Sequence, residues 1–311
     1  MLSTTTLIAL LASLSLPVSV SGKTISPLTY RTDARNHTCQ LSLPETACRN
    51  TTAVEDTCCG AAAALTLYTQ YWDTYTGAEE QGIVLPKNNW GVHGVWADYC
   101  DGTYPGYCDL SRQYDPEPSP NYTQGYTYTP PQTVEPFTGG DIVTPTLEYF
   151  GKNDLLSWMN KYWVSRGGNN YVFWLHEFAK HATCFSTFDL KCYGPTYEQG
   201  QDLVDYFQTV AGFEIRHPTY EWLAKAGIKP SNTTTYTRAQ IEDALMAGSG
   251  GVPFLGCRGA DRTTLNEIWY FNHAVGRVQD LTYIPVDKIG NSSCNATAPI
   301  WYYERTAGSE A

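Results

Sequence analysis

The chain has 311 residues, a formal net charge of −11 and ten cysteines. The acidic balance argues against a general nucleic-acid binder, which would present a broad basic face, but leaves room for a small local cationic site. The length supports a sizeable core, so disulfides would reinforce that core rather than replace it. Residues 1–21 read as a secretory signal peptide. Leu7 to Leu16 is an apolar run, and Pro17 and Ser19-Val20-Ser21 lead to Gly22 as a small-residue cleavage site, although no basic residues precede the run. It is shorter than the roughly 20 residues that span a bilayer. The mature chain, 22–311, is expected to be one domain. Ala61 to Thr74 has apolar spacing near three and four and predicts a helix. Ile83 to Leu85 and Trp90 to Trp96 predict strands between glycines. Tyr114 to Gln132 is rich in Pro, Tyr and Thr and predicts a long surface loop. Leu147 to Tyr162 predicts a helix, Asn170 to Trp174 a strand, and His176 to Cys184 and Glu198 to Val210 two further helices. Thr237 is a candidate N-cap for a helix over Arg238 to Met246; Ser249-Gly250-Gly251 then predicts a turn before Val252 to Leu255. Strands and helices without regular βαβ alternation indicate an α+β fold.

The ten cysteines form an even set with no C-x-x-C pair, which favours disulfides and argues against a zinc-binding cysteine cluster. Six N-x-S/T sequons begin at Asn36, Asn50, Asn121, Asn232, Asn291 and Asn295, a density suited to an exported glycoprotein.

Three of the six histidines lie in two unusual segments. The first is Asn89-Trp90-Gly91-Val92-His93-Gly94-Val95-Trp96-Ala97-Asp98, and the second Phe173-Trp174-Leu175-His176-Glu177-Phe178-Ala179-Lys180-His181-Ala182-Thr183-Cys184. A zinc-protease helix needs two histidines four apart, whereas His176 and His181 are five apart and diverge by roughly 140° on a continuous helix. Glu177 with His181, and His176 with Lys180, share faces instead. That set suits binding an anion and moving protons beside it. Taken singly, such pairs are usually solvated surface features, and His93 between glycines is equally compatible with a structural role. The glycines there permit close backbone approach of a ligand.

Together the two segments resemble the active-site segments H-G-L-W-P and H-E-W-x-K-H-G-T-C of the ribonuclease T2 family. Val95, Ala97, Phe178 and Ala182 depart from those patterns, and Ala179 stands where Asn is frequent; none is a proton-carrying position. The resemblance implies a central, mainly antiparallel sheet flanked by helices, and an endoribonuclease with little base specificity that uses no metal or other cofactor. His93 and His181 would be the acid–base pair, with His181 favoured as base and His93 as acid. His176 would hold the scissile phosphate, and Glu177 and Lys180 would stabilise the phosphorane. Trp96 and Tyr104 would stack on the base before the cut, Asp98 would hydrogen-bond it, and Phe173 would contact the base after it. The implied disulfides are Cys39–Cys59, Cys48–Cys100, Cys58–Cys192, Cys108–Cys184 and Cys257–Cys294. The expected partner is single-stranded RNA, with no DNA or membrane partner, for a monomer secreted to the medium or delivered to a vacuole. The alternative is a secreted T2-like toxin or binding protein with reduced activity.

Overall fold

The computed structural model describes Cys39 and residues 43–49, 53–63 and 65–311. The expected signal peptide and the sequons at Asn36 and Asn50 lie outside these residues. Along the chain run β1 (Leu65–Tyr71), β2 (Gly91–Asp98), α1 (Val143–Tyr149), α2 (Asn153–Tyr162), α3 (Asn170–Lys180), α4 (Gln201–Arg216) and α5 (Thr219–Lys225). They are followed by β3 (Thr235–Tyr236), α6 (Arg238–Ser249), β4 (Phe254–Arg258), β5 (Thr264–Ala274), β6 (Tyr283–Val286) and β7 (Ile300–Trp301). The seven-stranded sheet has the order β2-β1-β5-β7-β3, with β4 and β6 also paired to β5. Every pairing is antiparallel except β5 with β7, which makes the sheet mainly antiparallel as expected.

The expected helix over Ala61 to Thr74 is instead β1. Its sequence Leu-Thr-Leu-Tyr-Thr-Gln-Tyr alternates with period two, and both neighbours in the sheet supply hydrogen bonds. Leu65 and Leu67 face a small cluster with Phe271, whereas Tyr68 enters the main core. The polar residues of this buried strand are satisfied by tertiary partners: Thr69 Oγ1 donates to the Gly94 carbonyl, and Gln70 Nε2 to Glu214.

The expected strand at Asn170 to Trp174 is the first half of α3. Val172, Leu175, Phe178 and Ala179 are buried at helical spacing, so packing decides the conformation of an aromatic stretch that favours strand locally. The helix predicted over Leu147 to Tyr162 is two helices, because Gly151 adopts a left-handed φ of 65° between α1 and α2. The helix expected from His176 to Cys184 ends at Lys180 and gives way to a 3-10 turn over Ala182–Cys184. The one expected from Glu198 to Val210 is α4, shifted to start after the left-handed Gly200 and extended to Arg216. Ile83 to Leu85 forms no strand; Leu85 makes only an isolated bridge to Glu310. The Thr237 cap is present as a full capping box with Gln240. No helix or strand interrupts 114–132, and the predicted turn precedes β4.

All five implied disulfides form, and no cysteine is free among the described residues. Cys108–Cys184 ties the segment after β2 to the end of α3, and Cys257–Cys294 pins the β4–β5 turn. The sequon residues Asn121, Asn232 and Asn291 are exposed, and Asn295 is half-buried.

Candidate active site

The site begins with an irregularity in β2. Gly94 pairs with Thr69 and Val92 with Gln70, so His93 is the extra residue of a β-bulge. Val92, Val95 and Ala97 enter the main core, while Trp96 lies with the cluster on the other face. The bulge resets the alternation at His93 and aims its ring into the site. His93 Nδ1 hydrogen-bonds Glu267 Oε1 of β5 at 2.8 Å, and Trp163 Nε1 donates to the His93 carbonyl at 2.9 Å.

The end of α3 meets this bulge. Glu177 is fully buried and accepts a 2.8 Å hydrogen bond from Trp96 Nε1. Its second oxygen lies 3.5 Å from His93 Nε2 and has no hydrogen-bond partner among the described residues. Glycine at 94 is what permits this approach: a Cβ there would sit 2.0 Å from Glu177 Oε2. One helical turn on, Lys180 Nζ donates to the Ser119 carbonyl at 2.7 Å. His181, only 8% exposed, stacks on Trp96 with ring centroids 4.9 Å apart. His176 Nδ1 lies 2.7 Å from Asp115 Oδ2, which also accepts from the Tyr107 hydroxyl at 2.8 Å.

The two histidines of the second segment do not diverge as a continuous helix requires. At His181 the backbone leaves ideal α geometry (φ −109°, ψ −48°) as α3 ends, and the two rings lie 6.3 Å apart. Ligand atoms of His176, Glu177 and His181 fall within 4.8 Å of one another. The helical divergence of about 140° is therefore not realised, and the set is compact enough to engage a cation.

Opposed electrostatics separate His93 and His181, which line one cavity. Burial works against a charged His93, but the Glu177 carboxylate and the hydrogen bond to Glu267 outweigh it and raise its pKa. Burial, reinforced by Lys180, His176 and His93, holds His181 well below the ordinary value. Burial also lowers the Lys180 pKa against the attraction of Glu177 and Asp115. Glu267, despite burial, is lowered by its hydrogen bond and charge interaction with His93.

Two cavities open from this centre. The first, about 350 Å³, is lined by His93, Trp96, Asp98, Tyr104, Lys180 and His181. Asp98 is 8% exposed, its carboxylate has no hydrogen bond among the described residues, and burial pushes it up to about 7. Tyr104 is exposed at the rim, and one face of the Trp96 indole is covered by His181. The second cavity, about 630 Å³, contains Phe173 and shares His93 and Trp269 with the first. The expected site residues are thus gathered around His93, with Phe173 lining the second cavity and Asp98 and Tyr104 the first.

Glu267, Asp115, Tyr107 and Ser119 were not singled out from sequence. Glu267 is the one carboxylate of β5 and is followed by the apolar run Ile268 to Phe271, a signal that invites a search for a charged partner. Asp115 and Ser119 stand in the Pro- and Tyr-rich loop, where nothing local distinguishes them from surface residues.

Paired imidazoles with an ammonium and buried carboxylates, on a disulfide-bonded α+β frame, define a class of acid–base phosphodiester-cleaving proteins. Residues 42–294 match the Ribonuclease T2 family model, and the chain belongs to that family of metal-independent endoribonucleases. It is 34% identical to Ribonuclease Trv of Hypocrea rufa over 256 residues, covering 82% of this chain and 94% of that one. It is 33% identical to Ribonuclease T2 of Aspergillus oryzae over 279 residues, covering 85% and 88%. Ribonuclease T2-like 1-A of Candida albicans is 34% identical over 256 residues, but the match spans only 57% of that longer protein. The crystal structure of Actibind, described as a T2 ribonuclease, superposes with a TM-score of 0.69 at 30% identity over 85% of this chain and 97% of that one.

Proposed function

We propose that this chain is a secreted endoribonuclease that cuts single-stranded RNA by transphosphorylation, with little base specificity. The observation that carries this reading is that His93 and His181 line one cavity together with the Lys180 ammonium and the buried Glu177, with opposite shifts in charge preference. Neutral His181 takes the proton of the ribose 2′-hydroxyl. The 2′-oxygen attacks phosphorus, and the bond from phosphorus to the 5′-oxygen breaks as protonated His93 gives that oxygen its proton. The product is a 2′,3′-cyclic phosphate. Water attacks it with the two histidines in exchanged roles, giving a 3′-phosphate. Because the nucleophile belongs to the substrate, its proximity to phosphorus is supplied in advance.

His176, oriented by Asp115, and Lys180, tethered to Ser119, hold the non-bridging oxygens as charge accumulates on them. Glu177 keeps the proton on His93 and, through Trp96, fixes the indole under His181. Asp98 and Tyr104 receive the base before the cut, and Phe173 the base after it. The disulfides and sequons support export, and no helix among the described residues is long and apolar enough to cross a membrane. The protein is read as one monomeric catalytic domain following a signal peptide.

The test is an RNA with one 2′-deoxy residue just before its only available cut site. Cleavage there should vanish, DNA should be inert, and in unmodified RNA the cyclic phosphate should precede the 3′-phosphate in time. Cutting at the deoxy-blocked bond would overturn this mechanism.

A further inference from the structure

The larger cavity, lined by His93 and Phe173, also carries a cluster of arginines. Arg166, Arg258 and Arg262 line it together with two carboxylates, Asp73 and Glu267. Glu267 is engaged by His93, and Asp73 lies 3.0 Å from Arg258 and 3.9 Å from Arg166. Three guanidinium groups thus converge on one cavity of a chain whose net charge is −11. Stability does not account for them. The Arg258 and Arg166 side chains are 48% and 49% exposed, and ion pairs that open to solvent contribute little to folding.

The arginines are also pre-positioned. Arg258 ends β4, where its Nη1 donates to Asp73. With its amide oxygen turned toward the guanidinium, Asn266 accepts from Arg258 Nε at 3.0 Å and Nη2 at 3.2 Å. The rest of the fork keeps N–H donors without a described partner. Arg262 stands in the β4–β5 turn, itself anchored by Cys257–Cys294, and its guanidinium bonds only the Cys257 carbonyl among the described residues. The cavity lies in the range of roughly 300–1,000 Å³ that receives small-molecule ligands, so it accommodates a nucleotide unit and not merely an ion. The smaller cavity offers one ammonium, Lys180, and no guanidinium.

We propose that Arg258 and Arg262 bind the phosphate one nucleotide downstream of the scissile one, so that the strand 3′ of the cut leaves through this cavity. The inference rests on the ribonuclease reading and on Phe173 meeting the base after the cut. The subsite makes the enzyme prefer substrates that carry a phosphate beyond that base. Binding there spends counterions, so the preference weakens as salt rises.

The test compares cleavage of UpA with cleavage of UpAp, which differ only in the added 3′-phosphate, by the full-length protein and by its Arg258→Gln, Arg262→Gln double variant. The unaltered protein should show a kcat/KM ratio of UpAp to UpA on the order of ten, the size of one charge-assisted contact, carried mainly by KM. In the double variant the ratio should fall to about one. Damage to the fold would depress both substrates and leave the ratio standing, which would overturn the proposal, as would a ratio near one in the unaltered protein. Should the double variant fail to fold, Arg262→Gln, at an exposed turn position, carries the test alone by the same ratio. Cleavage of neither substrate by the unaltered protein would overturn the ribonuclease reading and this subsite with it.

Discussion

Replacing Glu267 with glutamine should move the alkaline limb of the activity profile without abolishing catalysis. Glu267 Oε1 lies 2.8 Å from His93 Nδ1, and the side chains are 21% and 27% exposed, so solvent screens the pair only in part. A charge-assisted hydrogen bond contributes about 1.5–3 kcal/mol and a neutral one about 0.5–1.5 kcal/mol. Glutamine keeps the hydrogen bond and loses the charge, a difference of about 1.4 kcal/mol, or about one pKa unit. The Glu177 oxygen 3.5 Å from Nε2 remains and holds the drop to that size. The sign follows from the roles. A general acid must be protonated, and His93 is raised by its carboxylates, so kcat/KM falls as pH rises through the His93 pKa. The rising limb belongs to His181, held below its ordinary value, so the optimum lies between them, on the acid side of neutrality. In Glu267→Gln the falling limb should shift down by about one unit. At the optimum of the unaltered protein the loss should then be small, growing to about tenfold above that limb. Steady-state kcat/KM on a dinucleoside monophosphate across the acid-to-neutral range, with an NMR titration of the His93 ring, would read both quantities. A uniform loss at every pH with the limb unmoved would refute the reasoning and leave Glu267 a packing residue.

Further outcomes follow from the same geometry. In Gly94→Ala the new Cβ must displace a buried carboxylate from 2.0 Å, so stability should fall by about 1–3 kcal/mol and activity by about tenfold or more. Thermal unfolding and kinetics would check this, and full activity would uncouple Glu177 from the bulge. Asp98 is neutral below about 7, so Asp98→Asn should match the unaltered protein's base preference at acid pH and diverge from it as pH rises; equal losses on all four homopolymers would make Asp98 structural. A chelator alone should leave cleavage intact, whereas added Zn²⁺ should inhibit by engaging His176, Glu177 and His181, with chelator restoring activity. Loss of activity in chelator alone would contradict the metal-free proton transfer.

The sequence by itself carried the chemistry of this protein. Two short segments, around His93 and from His176 to His181, hold enough rare residues in order to identify the family, and the disulfide pairs came with that resemblance. The Thr237 cap was legible because a cap is local: its side chain accepts from the backbone three residues on, and the structure completes it as a capping box with Gln240. Local pattern misled where tertiary pairing decides. β1 became a strand because β2 and β5 satisfy its backbone on both sides, and Asn170 to Trp174 became helix because α3 must bury a stripe against β2 and the core. The spacing of His176 and His181 misled for a related reason, since the helix that would separate them ends at Lys180. Only the folded chain could bring Glu267 to His93 across 174 positions, or Asp115 to His176 across 61. The reactive side chains are chosen by their chemistry, which sequence records residue by residue. Their charge states are set by burial and by partners from distant strands and loops, which come together only once the sheet has formed.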